Sequence, residues 1–127
     1  MTALLDTSVF IASEQGRRLA RPLPDQVSVS VVTLAELELG VLIAQDPDTR
    51  SQRLATLTRV REHTAGLPVD DRVASAYARL AAGELAAGRK PRIHDTWIAA
   101  TALVHGAEVW TEDADFTSFA AVEVVRV

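Results

Sequence analysis

Short apolar, strand-like runs alternate along this chain with longer helical stretches, and that alternation constrains the fold more than any other feature. Ala3-Leu4-Leu5 is apolar and ends at Asp6, while Val27-Ser28-Val29-Ser30-Val31 alternates with period two and is β-branched. Leu67-Pro68-Val69 is a short strand or connector, and the stretches Ala107 to Thr111 and Glu123 to Val127 complete the strand set. Thr7-Ser8 supplies helix-capping chemistry ahead of Val9-Phe10-Ile11-Ala12. Thr33, with Glu36 three residues on, has capping-box spacing before Leu34, Leu37, Val41 and Ala44, and Asp46-Pro47 ends that helix. Residues 48–65 read as a further helix with Leu54, Leu57 and Val60 inward, and Asp70 opens a long Ala-rich helix that Gly88 closes. Asp95 stands at the start of a helix through Trp97, Ile98, Ala102 and Leu103 that stops at His105-Gly106. Strands separated by helices predict the α/β class: a three-layer α/β/α sandwich with a mainly parallel central sheet.

No repeat, low-complexity tract or interdomain linker interrupts the 127 residues, so one domain spanning 1–127 is expected. A hydrophobic fraction of 48% with 24% charged residues excludes disorder. No apolar run is long enough for a transmembrane helix, and no basic region precedes Asp6 as a signal peptide requires. The absence of cysteine removes disulfide scaffolds, thiolate zinc sites and cysteine nucleophiles together. It fits a reducing compartment, so a cytoplasmic protein without a membrane partner is expected.

In a parallel sheet, ligands sit at the carboxyl ends of the strands. Asp6 and Asp113 fall directly after predicted strands, and Asp95 and Glu36 lie at helix starts, which face that same edge. Each acid alone has a structural explanation: Asp95 and Glu36 as cap or capping-box residues, Asp113 and Asp115 as turn residues. Together they form a cluster of carboxylates that repel one another unless a cation intervenes. With no histidine or cysteine at metal-ligand spacing, the cation expected is a hard one, Mg2+ with Mn2+ as a substitute, and not zinc. Such an ion favours attack of water on a phosphodiester. Other acid motifs fail on inspection. A phosphatase D-x-D would need an acid where Ser8 stands, an adhesion-type D-x-S-x-S is broken at Phe10, and the sole lysine, Lys90, does not follow a late strand as a receiver domain requires.

Four segments resemble those of PIN-domain ribonucleases of the VapC type, toxins of prokaryotic type II toxin–antitoxin pairs. They are Leu5-Asp6-Thr7-Ser8-Val9, the helix start from Thr33 to Gly40, His94-Asp95-Thr96-Trp97-Ile98-Ala99-Ala100-Thr101-Ala102, and Thr111-Glu112-Asp113-Ala114-Asp115-Phe116. The resemblance spans nearly the whole chain and implies a PIN-like fold. It implies a metal-dependent endoribonuclease that cuts RNA, with a tRNA or rRNA loop as target, and thereby stops translation and growth. Asp6, Glu36, Asp95 and Asp113 carry over as the catalytic and metal-binding quartet, Asp6 and Asp95 foremost for metal contact. Asp115, Thr7 and Thr111 carry over as supporting groups. A VapB-type antitoxin that inserts a basic side chain into the acidic site is the implied partner, together with homodimerisation and a hetero-oligomer with the antitoxin. On this reading Arg89, Lys90 and Arg92 contact the RNA backbone, and Arg17, Arg18 and Arg21 form a second basic patch. Trp97 and Phe10 read as core residues, and His94 is the one histidine placed to matter. Two rival readings are a non-catalytic PIN-like binding module and another Mg-dependent phosphoryl-transfer nuclease.

The net charge of −4 speaks against a nucleic-acid partner only if the charges are evenly spread. They are not. Residues 1–94 carry 12 basic and 11 acidic side chains, whereas residues 95–127 carry one basic and six acidic. The acidic excess is confined to the segment that holds Asp95, Asp113 and Asp115.

Overall fold

The computed structural model describes every residue except Met1, Asp115, Thr117, Ser118 and Ala120. The described residues form β1 (Ala3–Leu5), α1 (Thr7–Glu14), β2 (Val27–Ser30), α2 (Val31–Leu42), α3 (Pro47–His63), β3 (Gly66–Leu67), α4 (Asp71–Ala86), α5 (Ile93–His105), β4 (Glu108–Thr111) and β5 (Val124–Arg126). The strands make one sheet in the order β3-β2-β1-β4-β5, and every pairing is parallel. Parallel neighbours need long crossovers, which the helices supply. Leu4 stands opposite Ser28 on β2 and Val109 on β4, and Leu5 stands opposite Trp110.

Burial follows the pleat of β1, in which successive side chains point to opposite faces. Leu4 joins Val73, Ile98, Val109 and Phe116 in one cluster, beneath α4 and α5. Ala3 and Leu5 join Val9, Leu37, Leu57, Val60 and Trp110 in the other, beneath α1, α2 and α3. Both faces of the sheet are therefore covered, giving the three layers that the strand and helix alternation predicts. Trp97 stacks on Tyr77 with ring centroids 3.9 Å apart, and Phe10 packs against the second cluster, so both aromatics serve the core. Among the described residues, no helix is long and apolar enough to cross a membrane.

Helix starts differ from the sequence expectation in ways that matter for the site. Ser30 ends β2 and caps α2, its Oγ accepting from Val32 N at 3.0 Å. Thr33 is thus already inside the helix and buried, and the Thr33–Glu36 capping box does not form. The serine at the strand end takes that task and leaves Glu36 free for another. Helix α2 stops at Leu42, and Asp46 caps α3, with Pro47 at the first helical position. Leu54 on α3 is exposed rather than inward. Asp70 caps α4 as expected, through Val73 N at 3.0 Å. Asp95 does not cap α5: Arg92 holds that position without a side-chain cap, and Asp95 lies within the first turn.

Candidate active site

The strand order reverses beside β1, because the chain moves outward through β2 and β3 and later returns to β4 and β5 on the opposite side. A crevice at the carboxyl ends of β1 and β4 follows from that reversal. Asp6 leaves β1 there, and Asp113 follows β4 by two residues. Glu36 on α2 and Asp95 in the first turn of α5 complete the group, and the carboxylates of Asp6, Asp113 and Glu36 all act electrostatically on Asp95. The four acids of the sequence-derived quartet, scattered over more than a hundred residues, are brought to one place. Asp115 lies outside the described residues.

Hydroxyl groups fix these acids from below. Ser8 Oγ and Thr111 Oγ1 both donate to Asp6 Oδ2, at 2.8 and 2.9 Å. Each hydroxyl in turn accepts a backbone N–H from the segment after β4: Glu112 N on Ser8 at 3.0 Å and Asp113 N on Thr111 at 3.0 Å. One carboxylate is thereby oriented by two elements that also hold the Asp113 backbone. Thr7 Oγ1 donates to Glu36 Oε1 at 2.9 Å, and His94 Nδ1 lies 3.5 Å from Glu36 Oε2. Thr7 and Thr111 therefore stand beside the acids as expected. Ser8 was not among the expected site residues, because a serine at the start of a helix reads as a capping residue; its spacing of two from Asp6 was the available signal.

Asp95 is the most strained member electrostatically. Burial pushes its carboxyl up to about 6, the neighbouring carboxylates of Asp6, Asp113 and Glu36 push the same way, and the Arg92 guanidinium opposes them. Its Oδ2 is buried and accepts no hydrogen bond among the described residues. Arg92 Nε is 3.0 Å away, so the contact is one of charge without hydrogen-bond alignment. Arg92 also reaches across to Asp113, donating from Nη2 to Oδ2 at 2.9 Å. Among the described residues, no three of the acids are gathered closely enough to hold an ion as they stand. Mg2+ does not require that, since it is bound through one or two carboxylates and retains several waters. An all-oxygen donor set with a buried, unsatisfied carboxylate oxygen fits a hard divalent cation.

The basic residues divide. Arg89 is committed to α4: its Nε and Nη2 both donate to the buried Glu84 carboxylate at 2.9 Å. Such a bidentate pair on a buried acid ties down the loop, although the Arg89 side chain stays about half exposed. Arg17 pairs with Glu112 at the rim of the crevice, and Arg21 lies over the Trp110 ring. Arg92 lies inside the acidic group. Lys90 and Arg18 are exposed.

A family model described as PIN domain matches residues 3–122. The chain is 51% identical to ribonuclease VapC5 of Mycobacterium tuberculosis over 98% of its own length and 94% of that protein. It is 41% identical to ribonuclease VapC4 of the same organism, covering 98% and 96% of the two chains. A crystal structure of VapBC-5 from Mycobacterium tuberculosis, described as a member of the VapBC family of toxin–antitoxin systems, superposes with a TM-score of 0.88 at 47% identity, covering 99% of this chain and 98% of that one. The parallel sheet, the acids at its switch point and these likenesses agree: the chain belongs to the PIN-domain family, among the VapC ribonucleases.

Proposed function

We propose that this protein is the toxin of a type II VapBC pair, an endoribonuclease that hydrolyses RNA at the Asp6, Glu36, Asp95 and Asp113 edge of the sheet with Mg2+, or Mn2+ in its place. The observation that carries the metal is Asp95: a carboxyl raised to about 6 by burial and three neighbouring acids, with one buried oxygen lacking a hydrogen bond. The likeness to VapC5 and VapC4, both named ribonucleases, supports RNA as the substrate. A bound divalent ion supplies charge at phosphorus and a more acidic water. This chain's own part is positioning. Ser8 and Thr111 hold Asp6 in one orientation, and Thr7 holds Glu36, so the acids need not reorganise as charge develops on the phosphodiester. Glu36, with His94 beside it, is placed to take a proton from the attacking water. Lys90 and Arg18, with Arg17, Arg89 and Arg92, are exposed cations available to the phosphate backbone. A tRNA or rRNA loop fits, since unstacked loops are what proteins read in RNA. With RNA as substrate, the working compartment is the cytoplasm.

The partner is a VapB-type antitoxin. Its basic side chain would meet the acidic crevice. A cleft of about 370 Å3 between α1, α3 and the loop after α1 offers an apolar seat nearby, with Val9, Phe10, Leu19 and Leu23 inside and Arg17 at its mouth. Homodimerisation and a hetero-oligomer with the antitoxin belong to the same reading.

The purified protein should cut a 5′-labelled structured RNA with Mg2+, not with EDTA, and leave DNA of the same sequence intact. Cutting that persists in EDTA would refute the reading. The pH dependence has a definite sign. Asp95 must be ionised to engage a cation, so cleavage at subsaturating Mg2+ should fall as pH drops through about 6. Raising Mg2+ should move that midpoint to lower pH, because the ion and the proton compete for one carboxylate. A midpoint that ignores Mg2+ would separate Asp95 from the metal.

A further inference from the structure

We infer that Arg92 is a built-in counter-ion that competes with the divalent cation for Asp95 and Asp113 and must swing aside when the cation binds. The inference rests on the metal reading above and adds an occupant to that site from within the chain. Arg92 touches two of the acids: Nε lies 3.0 Å from Asp95 Oδ2, and Nη2 lies 2.9 Å from Asp113 Oδ2. It thus ties the first turn of α5 to the segment after β4. The Asp95 contact lacks hydrogen-bond alignment, leaving that oxygen open to a better partner.

The surroundings let the side chain leave while the backbone stays. Arg92 O accepts from Thr96 N at 2.8 Å and from Thr96 Oγ1 at 2.6 Å, and upstream the Glu84–Arg89 clasp pins the loop. The Arg92 side chain is 50% exposed, so it has open solvent to rotate into. A guanidinium and a divalent ion at the same carboxylate oxygens repel each other, and the doubly charged ion is the stronger competitor. Once displaced, the guanidinium stands at the rim of the crevice, where the RNA phosphates arrive. Cation and RNA then favour each other's binding, and the coupling is reciprocal.

The test is a calorimetric titration of the metal-free protein with Mn2+, without RNA, at pH 7.5. Exposed ion pairs of this kind are weak, so R92A should bind Mn2+ about three- to tenfold tighter than wild type. R92K, which keeps the charge but cannot bridge two carboxylates, should fall between them. R79A, a charge loss at an exposed position on α4, should match wild type. If R92A does not fold, R92Q carries the same expectation. In wild type, the Arg92 Nε–H resonance should move to the position of a free arginine on adding Mg2+. Equal or weaker Mn2+ binding by R92A, or an Arg92 resonance that Mg2+ leaves in place, overturns the inference while the metal reading stands. Absence of Mn2+ binding in wild type and R92A alike overturns both.

Discussion

Asp95→Asn should lower metal-dependent RNA cleavage by about a thousandfold and at the same time make the metal-free protein more stable. The two effects have one cause. In wild type, an ionised Asp95 sits half-buried among Asp6, Asp113 and Glu36, a placement that holds its carboxyl at about 6 against an ordinary value of 3.8. Asparagine fills the same space without the charge, so the metal-free fold should gain on the order of 2 kcal/mol at neutral pH. The sign of the pH dependence follows from linkage. Below the unfolded pKa, both states of Asp95 carry the proton and the site costs nothing. Between about 4 and 6 the folded protein retains a proton that the unfolded chain has lost, so wild-type stability declines as pH rises through that window. Asp95→Asn should show no such decline. The difference between the two urea-derived stabilities across pH 4–7 isolates this residue from the other acids, including Asp46, whose carboxyl is held low by Thr49. An Asp95→Asn protein that is less stable than wild type at pH 7 without metal would contradict the picture of a repelling cluster.

Leu4→Ala should be the most damaging core substitution for its size, at about 3 kcal/mol, a large part of the roughly 5–15 kcal/mol that holds a domain together. Leu4 is fully buried in β1, the central strand, and is flanked by β2 and β4. Strands on both sides keep the backbone from collapsing into the hole, so the cavity persists. Two residues later the same strand delivers Asp6, and the loss should therefore appear in activity before the protein unfolds. Urea unfolding should show a lower midpoint with an unchanged slope. A loss below 1 kcal/mol would mean that the cluster under α4 and α5 repacks freely.

The strands and the acids were legible because both depend on local pattern. The apolar run ending at Asp6 and the strand-like stretch shortly before Asp113 announced the sheet edge, and the alternation with helices announced parallel pairing. What escaped depends on contacts made at a distance. Glu84, on the long Ala-rich helix, is buried, because the turn at Gly88, with φ +77°, brings Arg89 back onto it. Thr7-Ser8 and Thr33 read as the helix caps, but Ser30 at the strand end caps α2, while Ser8 spends its hydroxyl on Asp6. Arg92 also pairs with two acids contributed by separate segments, a placement that no local pattern encodes.

The central claim is that the acids at the ends of β1 and β4 act through a divalent cation on RNA, and Asp6→Asn tests it most directly. The substitution keeps the volume, and the asparagine side-chain oxygen can still accept from Ser8 and Thr111. Cleavage of a labelled RNA should be followed across a Mg2+ titration for both proteins, with calorimetric Mn2+ binding measured in parallel. The account predicts that Asp6→Asn folds, binds Mn2+ at least tenfold more weakly and loses nearly all cleavage at every Mg2+ concentration. Cleavage at the wild-type rate by a folded Asp6→Asn protein would contradict it.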